Sequence, residues 1–341
     1  MSGALLEADR LAVSFPGRGR TARAVDGVNL AVRQGEIVAL VGESGCGKTT
    51  LARALLGLQR PTAGVVRYGG VELAYSSRAL RRYRREVQMI LQDPTGALNP
   101  RQTVYESVAE GLRIHRVVRE DDAGRNEIEL VAEALSQAGL RPPERFFLSY
   151  PHELSGGQRQ RVVIAGALAL KPQVLVADEP VSSLDASIRG EILALLLRLR
   201  DEMGLTVLVV THDLGLAWNI ADRIAVMYLG RIVEIGDTET VLERPEHPYT
   251  RALLSVVPEI QQIEPIVLTG ETPDPARIPH GCRFHPRCPA YASGEAAAAG
   301  VADQCVGQDL PLLSAGHDEP GGAHRAACWL AAERHGAEVL S

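Results

Sequence analysis

Short apolar runs of strand length recur along the chain at Glu36–Val41, Val174–Ala177 and Thr206–Val210, with helically spaced apolar positions between them. This alternation predicts an α/β domain built on a largely parallel sheet. Each run ends in polar residues, at Gly42–Thr49, Asp178–Glu179 and Thr211–His212. Ligands of such sheets lie beyond the carboxyl ends of the strands, so these three segments are expected to meet at one site. Leu11–Phe15 and Val25–Val32 read as antiparallel strands around an Arg- and Gly-rich stretch, Pro16–Arg23. Arg223–Met227 and Arg231–Ile235 flank Leu229–Gly230 as a hairpin. From about Asp93 to Ser149 the alternation breaks, and Ile128, Val131, Leu135 and Ala138 follow helical spacing, with Gly139 as a stop. This predicts an inserted helical subdomain, placed at about 93–165. Beyond about Pro245 proline, glycine and histidine rise and periodicity fades. A boundary is therefore expected near Pro258, dividing a main domain, 1–258, from a separate tail, 259–341, without a clear core of its own.

Composition narrows the class. A chain of 341 residues has room for one large domain and an appendage. With 45% hydrophobic and 23% charged residues it has a globular composition, and no run of about 18 uncharged apolar residues offers a membrane span. The start, residues 1–15, carries acidic residues and no apolar stretch after a basic segment, so no secretory signal is expected and the chain should remain in the cytoplasm. A net charge of −6 gives no general attraction to nucleic acid. The local cluster Arg81, Arg82, Arg84 and Arg85 reads as a solvated helix face. Basic residues are almost all arginine: the lysines are Lys48 and Lys171 alone, which makes Lys48 informative. No repeat of fixed period is present, which argues against a solenoid.

Gly42-Glu43-Ser44-Gly45-Cys46-Gly47-Lys48-Thr49 fits a phosphate-binding loop, following a predicted strand and opening a helical run that begins with Thr50. Glycines are required where backbone N–H groups turn inward around phosphate oxygens. Lys48 suits a point charge between the β- and γ-phosphates, and the Thr49 hydroxyl suits Mg²⁺. Cys46 occupies a variable position and reads as a small tolerated side chain. Asp178 at its strand end can hold Mg²⁺, Glu179 can polarise an attacking water, and His212 can sense the γ-phosphate.

Leu154-Ser155-Gly156-Gly157-Gln158 resembles the signature segment of ABC-type ATPases, and precedes a helical run whose N-terminus suits an anion. The resemblance covers about residues 5–245. It implies a P-loop ATPase fold with an antiparallel β subdomain and a helical subdomain, ATP and Mg²⁺ as ligands, and head-to-tail pairing in which each signature serves the partner's nucleotide. Ser182-Ser183-Leu184-Asp185 resembles the loop that crosses that interface, and Gln92 resembles the glutamine linking γ-phosphate and Mg²⁺ to the helical subdomain. Phe15 is the candidate to stack on adenine, with a core phenylalanine as the alternative.

Two further strings, Gln92–Arg101 and His247–Leu254, are similar to segments of ATPases that serve peptide importers, a group that includes nickel and glutathione systems. The resemblance implies a second ATPase subunit, identical or homologous, two membrane permease subunits, an extracytoplasmic binding protein, and a peripheral place on the cytoplasmic face of the membrane. A ribosome- or DNA-acting ABC ATPase is the alternative of another class; such chains usually carry two ATPase units or long coiled-coil insertions, and neither is present.

Cys282, Cys288, Cys305 and Cys328 have spacings of 5, 16 and 22 residues. Four thiolates match the ligand count of a [4Fe–4S] cluster or an all-cysteine zinc site, and spacing alone does not choose. The stretch Gly281–Pro289 resembles the C-terminal region of the importer ATPases, which favours the cluster over Zn²⁺ or unliganded thiols. His280, His285 and His324 are near enough in sequence to substitute as ligands.

Overall fold

The computed structural model describes residues 3–17, 19–120, 124–182, 184–257, 264–309 and 324–334. Its strands run β1 (Ala4–Pro16), β2 (Thr21–Arg33), β3 (Ile37–Val41), β4 (Ala63–Tyr68), β5 (Val71–Glu72), β6 (Val87–Ile90), β7 (Val174–Asp178), β8 (Thr206–Thr211), β9 (Arg223–Tyr228), β10 (Arg231–Asp237) and β11 (Arg325–Ala326). Four of them form an antiparallel sheet in the order β2-β1-β4-β5, and seven form the central sheet β11-β10-β9-β3-β8-β7-β6. Within the central sheet β9, β3, β8, β7 and β6 run parallel, while β10 and β11 join antiparallel.

The parallel strands are covered on both faces, which is why they read as unbroken apolar runs. Along β3, Ile37, Ala39 and Val41 enter a core shared with the helical insert, while Val38 and Leu40 enter a second core shared with the phosphate-loop helix and the antiparallel sheet. The period-2 alternation of a strand thus serves two cores at once. β1 and β2 extend further than expected, into the Arg- and Gly-rich stretch, as a hairpin that pairs Phe15 with Ala22 and Pro16 with Thr21.

The insert holds the helices Val104–His115, Glu127–Gln137 and Gly156–Leu168. Each begins with a reciprocal cap, Thr103 with Glu106, Asn126 with Glu129 and Ser155 with Gln158. A Ser, Thr or Asn cap with Glu or Gln three residues on satisfies two otherwise orphaned N–H groups. Val108, Leu112, Val131, Leu135 and Ile164 bring these helices together. In the arginine cluster on the helix Ser77–Glu86, Arg81 and Arg82 are exposed, as the solvated-face reading expects, whereas Arg84 and Arg85 are half-buried and Arg84 Nη2 donates to the Gly57 carbonyl at 2.7 Å, so the reading holds for half of the cluster.

The C-terminal region is joined to this body more closely than the fading periodicity suggests. β11 pairs with β10, and Phe284 is buried among Tyr228 and Tyr249 in the core of the main domain. The region also has a small core of its own around Ala290, Ala296, Val301 and Leu330. Its helices, such as Pro289–Ala292 and Ala302–Gly307, are four to six residues long, too short to display a period. The expected boundary at Pro258 lies outside the described residues. Among the described residues no helix is long and apolar enough to cross a membrane.

Candidate nucleotide site

β3 delivers the phosphate loop into a tight space. Gly47 has φ +110°, and a Cβ there would run into the Ala24 carbonyl on β2; one at Gly42 would meet the Met227 carbonyl on β9. Only glycine fits where backbone approaches backbone so closely. The helix Lys48–Leu55 starts at this point, turning its positive end toward the cleft. Lys48 is 6% exposed, and its Nζ donates to the carbonyls of Gly42 at 2.7 Å and Glu43 at 2.9 Å. The cleft, about 320 Å³, is lined by Ser44, Gly45, Cys46, Gly47, Lys48, Thr49 and Thr50 together with Gln92 and Glu179. Cys46 is buried, and burial pushes its thiol up against the pull of the Lys48 charge, consistent with a packing role.

The carboxylates take separate positions. Asp178, 6% exposed at the end of β7, accepts from Thr49 Oγ1 at 3.4 Å. Burial, with the neighbouring Glu179 charge, pushes its carboxyl up in spite of Thr49, Arg53 and Lys48. A hydroxyl beside a carboxylate whose charge is penalised by burial is a donor set suited to Mg²⁺, a hard cation that would offset that penalty. Glu179 has φ +47°, a left-handed backbone that strains a residue with a side chain, and its N–H donates to Val210 at 2.8 Å. Its carboxylate accepts from Gln92 Nε2 at 2.9 Å and faces His212 Nδ1 at 2.9 Å. A carboxylate can only accept, so the Nδ1 of His212 is the donor. Gln92, Glu179 and His212 come from β-strand ends far apart in sequence and meet on one carboxylate.

The signature residues stand elsewhere. Ser155 accepts from the Gln158 N–H at 3.2 Å and its own N–H donates to Gln158 Oε1 at 2.9 Å, while Ser155 and Gly156 are exposed and Gly157 is packed against Ile188. None of these four residues lines the phosphate cleft of the same chain. Asp185 is exposed just ahead of the helix Ala186–Met203, and Ser183 lies outside the described residues. Phe15 is 42% exposed, so the core alternative does not hold; it borders a neighbouring cleft with Gly17, Arg20, Ala22, Asp274, Ala276 and Arg277 rather than the phosphate cleft itself.

Sequence reasoning missed what surrounds Glu43 and what else lines the cleft. Arg23 and Ala24 on β2, Leu229 and Gly230 after β9, and Pro275 from the C-terminal region complete the cleft wall. Glu43 N–H donates to Tyr249 Oη at 2.8 Å, and the Glu43 carboxylate is held by Arg287 and Thr272. The His247-Pro248-Tyr249 string was the available signal, noticed as a resemblance and not as a contact.

Cys282, Cys288, Cys305 and Cys328 all line one small apolar cavity, with His247, Phe284 and His285. Gly281, at φ +70°, allows the approach, since a Cβ there would collide with the carbonyls of Cys305 and Val306. The adjacent Cys282 N–H donates to Cys305 at 2.9 Å. Burial, then the neighbouring thiols, pushes Cys282 up to about 12 and Cys328 up to about 11. The expected cluster or Zn²⁺ finds no assembled ligand set: among the described residues no group of three or more His, Cys, Asp or Glu is arranged to hold a metal ion. The thiols share a wall but do not close into a ligand set. Of the substitute ligands, His285 lines the cavity, His280 does not, and His324 is engaged by Glu234 at 2.7 Å. His247, not considered from sequence, lines it as well, buried and with Nε2 unpartnered.

Comparison with known proteins agrees with this geometry. Residues 25–182 match the ABC transporter family, and residues 233–294 match the oligopeptide/dipeptide transporter C-terminal region. The chain is 48% identical over 292 residues to the putative oligopeptide transport ATP-binding protein YkfD of Bacillus subtilis, covering 84% of this chain and 87% of that protein. It is 44% identical over 272 residues to the dipeptide transport ATP-binding protein DppF of Haemophilus influenzae, covering 78% and 81%. Among solved structures it is similar to cbiO1 of Clostridium perfringens, part of an ABC transporter complex, at TM-score 0.63 and 28% identity over 71% of this chain and 92% of that one. It is also similar to the ATP-binding cassette MJ0796, a dimer bound to ADP and Pi, at TM-score 0.61 and 31% identity over 68% and 98%. Fold and site together define an ATP-hydrolysing cassette. Within that class, the chain belongs to the family of ABC transporter ATP-binding proteins with an oligopeptide/dipeptide-type C-terminal region.

Proposed function

We propose that this ATPase energises the import of peptides through a membrane complex. The observation that carries the reading is the meeting of Gln92 and His212 on Glu179, because Gln92 lies between β6 and the helical insert. A change at the γ-phosphate can thereby be passed to the insert. The peptide assignment is supported by the match of residues 233–294 and by relatives named for oligopeptide and dipeptide transport. A nickel or glutathione importer would use the same motor. Lys48 would hold the β- and γ-phosphates, Thr49, Asp178 and Gln92 would hold Mg²⁺, which would supply positive charge to the phosphate oxygens, and Glu179 would orient and polarise the attacking water. Phe15 stacks on the adenine.

The working unit in this reading has two ATPase subunits, each lending Ser155–Gln158 and Asp185 to its partner's nucleotide. Ser155, Gly156 and Asp185, exposed and outside the lining of their own cleft, support this. Two permease subunits dock on the helical insert, where Leu148 is 83% exposed, and place the ATPase on the cytoplasmic face of the membrane; an extracytoplasmic protein delivers cargo. Residues 1–258 form the nucleotide-binding unit and 259–341 the C-terminal region. The finer reading of that region is a [4Fe–4S] cluster on Cys282, Cys288, Cys305 and Cys328, ahead of Zn²⁺. Its support is the convergence of four thiols on one apolar cavity. Iron and acid-labile sulfide in anaerobically purified protein test it, and an iron-free, zinc-loaded sample would overturn it.

The transport reading is tested by reconstituting the ATPase with its membrane subunits in vesicles and following labelled peptide. ATP-dependent uptake is expected. Copurification with ribosomes or DNA in place of hydrophobic membrane subunits would contradict it.

A further inference from the structure

Glu43 is the second residue of the phosphate loop, yet it is not among the residues lining the phosphate cleft. Its side chain is held from the C-terminal region. Arg287 grips the carboxylate with both terminal nitrogens, Nη1 to Oε2 at 2.8 Å and Nη2 to Oε1 at 3.0 Å, and Thr272 Oγ1 donates at 2.8 Å. Arg287 is itself buried, its guanidinium 6.0 Å from the centre of the Tyr228 ring. The planar fork of arginine is pre-organised for such a bidentate contact. Burial alone would push the Glu43 carboxyl up, but the bonds from Arg287 and Thr272, with the Arg287 and Lys48 charges, hold it below the usual value.

The same residue is fixed at two more points. Its N–H donates to Tyr249 Oη at 2.8 Å, and its carbonyl accepts from Lys48 Nζ at 2.9 Å, the nitrogen that serves the phosphates. The C-terminal region also supports the opposite rim of the cleft. Arg283 Nη1 donates to the Leu229 carbonyl at 2.6 Å and pairs with Asp26, while the Arg23 N–H donates to the Pro275 carbonyl at 3.1 Å. Leu229, Arg23 and Pro275 all line the cleft.

We infer that Arg287 is a positioning residue for the ATPase: through Glu43 it fixes the phosphate loop, so that productive ATP binding depends on the C-terminal region. The inference does not depend on what the cysteine cavity holds or on the transported cargo. The test compares Arg287→Ala, Arg287→Lys, Glu43→Gln and the double variant Arg287→Ala/Glu43→Gln in the full-length protein. Affinity is read with a fluorescent ATP analogue, KM and kcat from ATP turnover, and folding from the unfolding midpoint. Arg287→Ala and Glu43→Gln should each weaken ATP binding and raise KM by about fivefold or more, the lower end of couplings between linked sites, with kcat changed less. The double variant should be no worse than the single ones, because both remove one interaction, and Arg287→Lys should restore part of the affinity. A folded Arg287→Ala protein with KM and affinity within about twofold of the parent, or a double variant whose losses multiply, would overturn the inference. Should Arg287→Ala not fold, Glu43→Gln decides, since unchanged KM there would also overturn it.

Discussion

Phe284→Ala measures how firmly the C-terminal region belongs to the body of the ATPase. Phe284 is 1% exposed, and its ring lies edge-on 5.2 Å from Tyr228 and 5.3 Å from Tyr249, and tilted 5.7 Å from His247. Truncating a fully buried phenylalanine removes its transfer energy and leaves a cavity, a loss of about 3–5 kcal/mol. Tyr228 ends β9 and Tyr249 lies in the helix Pro248–Leu254, so both partners belong to the main domain. The loss should therefore appear in the main unfolding transition, moved as a whole to lower denaturant concentration when followed by far-ultraviolet circular dichroism. Nucleotide affinity should fall as well, because Tyr249 Oη accepts the Glu43 N–H. A loss below about 1 kcal/mol would refute the shared core, as would an early separate transition with the main one unmoved.

Lys48→Ala should weaken Mg-ATP binding and abolish productive turnover, since among the described residues Lys48 is the side chain whose ammonium bonds the Gly42 and Glu43 carbonyls; isothermal titration with retained tight binding would contradict this. Glu234, fully buried, accepts from His324 Nε2 at 2.7 Å and from the N–H groups of Glu246 and His247. Burial opposes the charged His324, but the hydrogen bond and charge of Glu234, with Glu246 and Asp237, raise its pKa overall. The pair's stabilisation is then fully present below the unfolded histidine value of about 6.5 and is lost as pH rises through the higher folded value. The stability gap between the parent and His324→Gln should shrink over that window in denaturant titrations, and a flat gap would refute the pairing. His247, which burial holds down to about 4, costs stability in both proteins as pH falls from about 6.5 toward that value, and cancels in the comparison.

The nucleotide machinery was legible in the sequence because its physics restricts neighbouring residues. A loop that turns N–H groups inward past β2 and β9 needs Gly42 and Gly47 in place, and Asp178 stands out as a carboxylate at the last position of an apolar strand. The capped helix after Ser155 was visible for the same reason, since Gln158 stands three residues on. Contacts of the C-terminal region left no such trace. Arg287 meets Glu43 across 244 positions, and neither residue type is unusual by itself. Burial of Phe284 and the pairing of β11 were hidden because the region is built of pieces of two to six residues, too short to repeat a pattern.

The central claim, that two chains close around ATP with Glu179 activating the water, is tested most directly by Glu179→Gln. Mass by light scattering and phosphate release should be followed together, with Mg-ATP and with the cognate ATPase partner present. The account predicts bound ATP, a stable closed dimer and no turnover. Full turnover, or ATP binding that never brings two chains together, would contradict it.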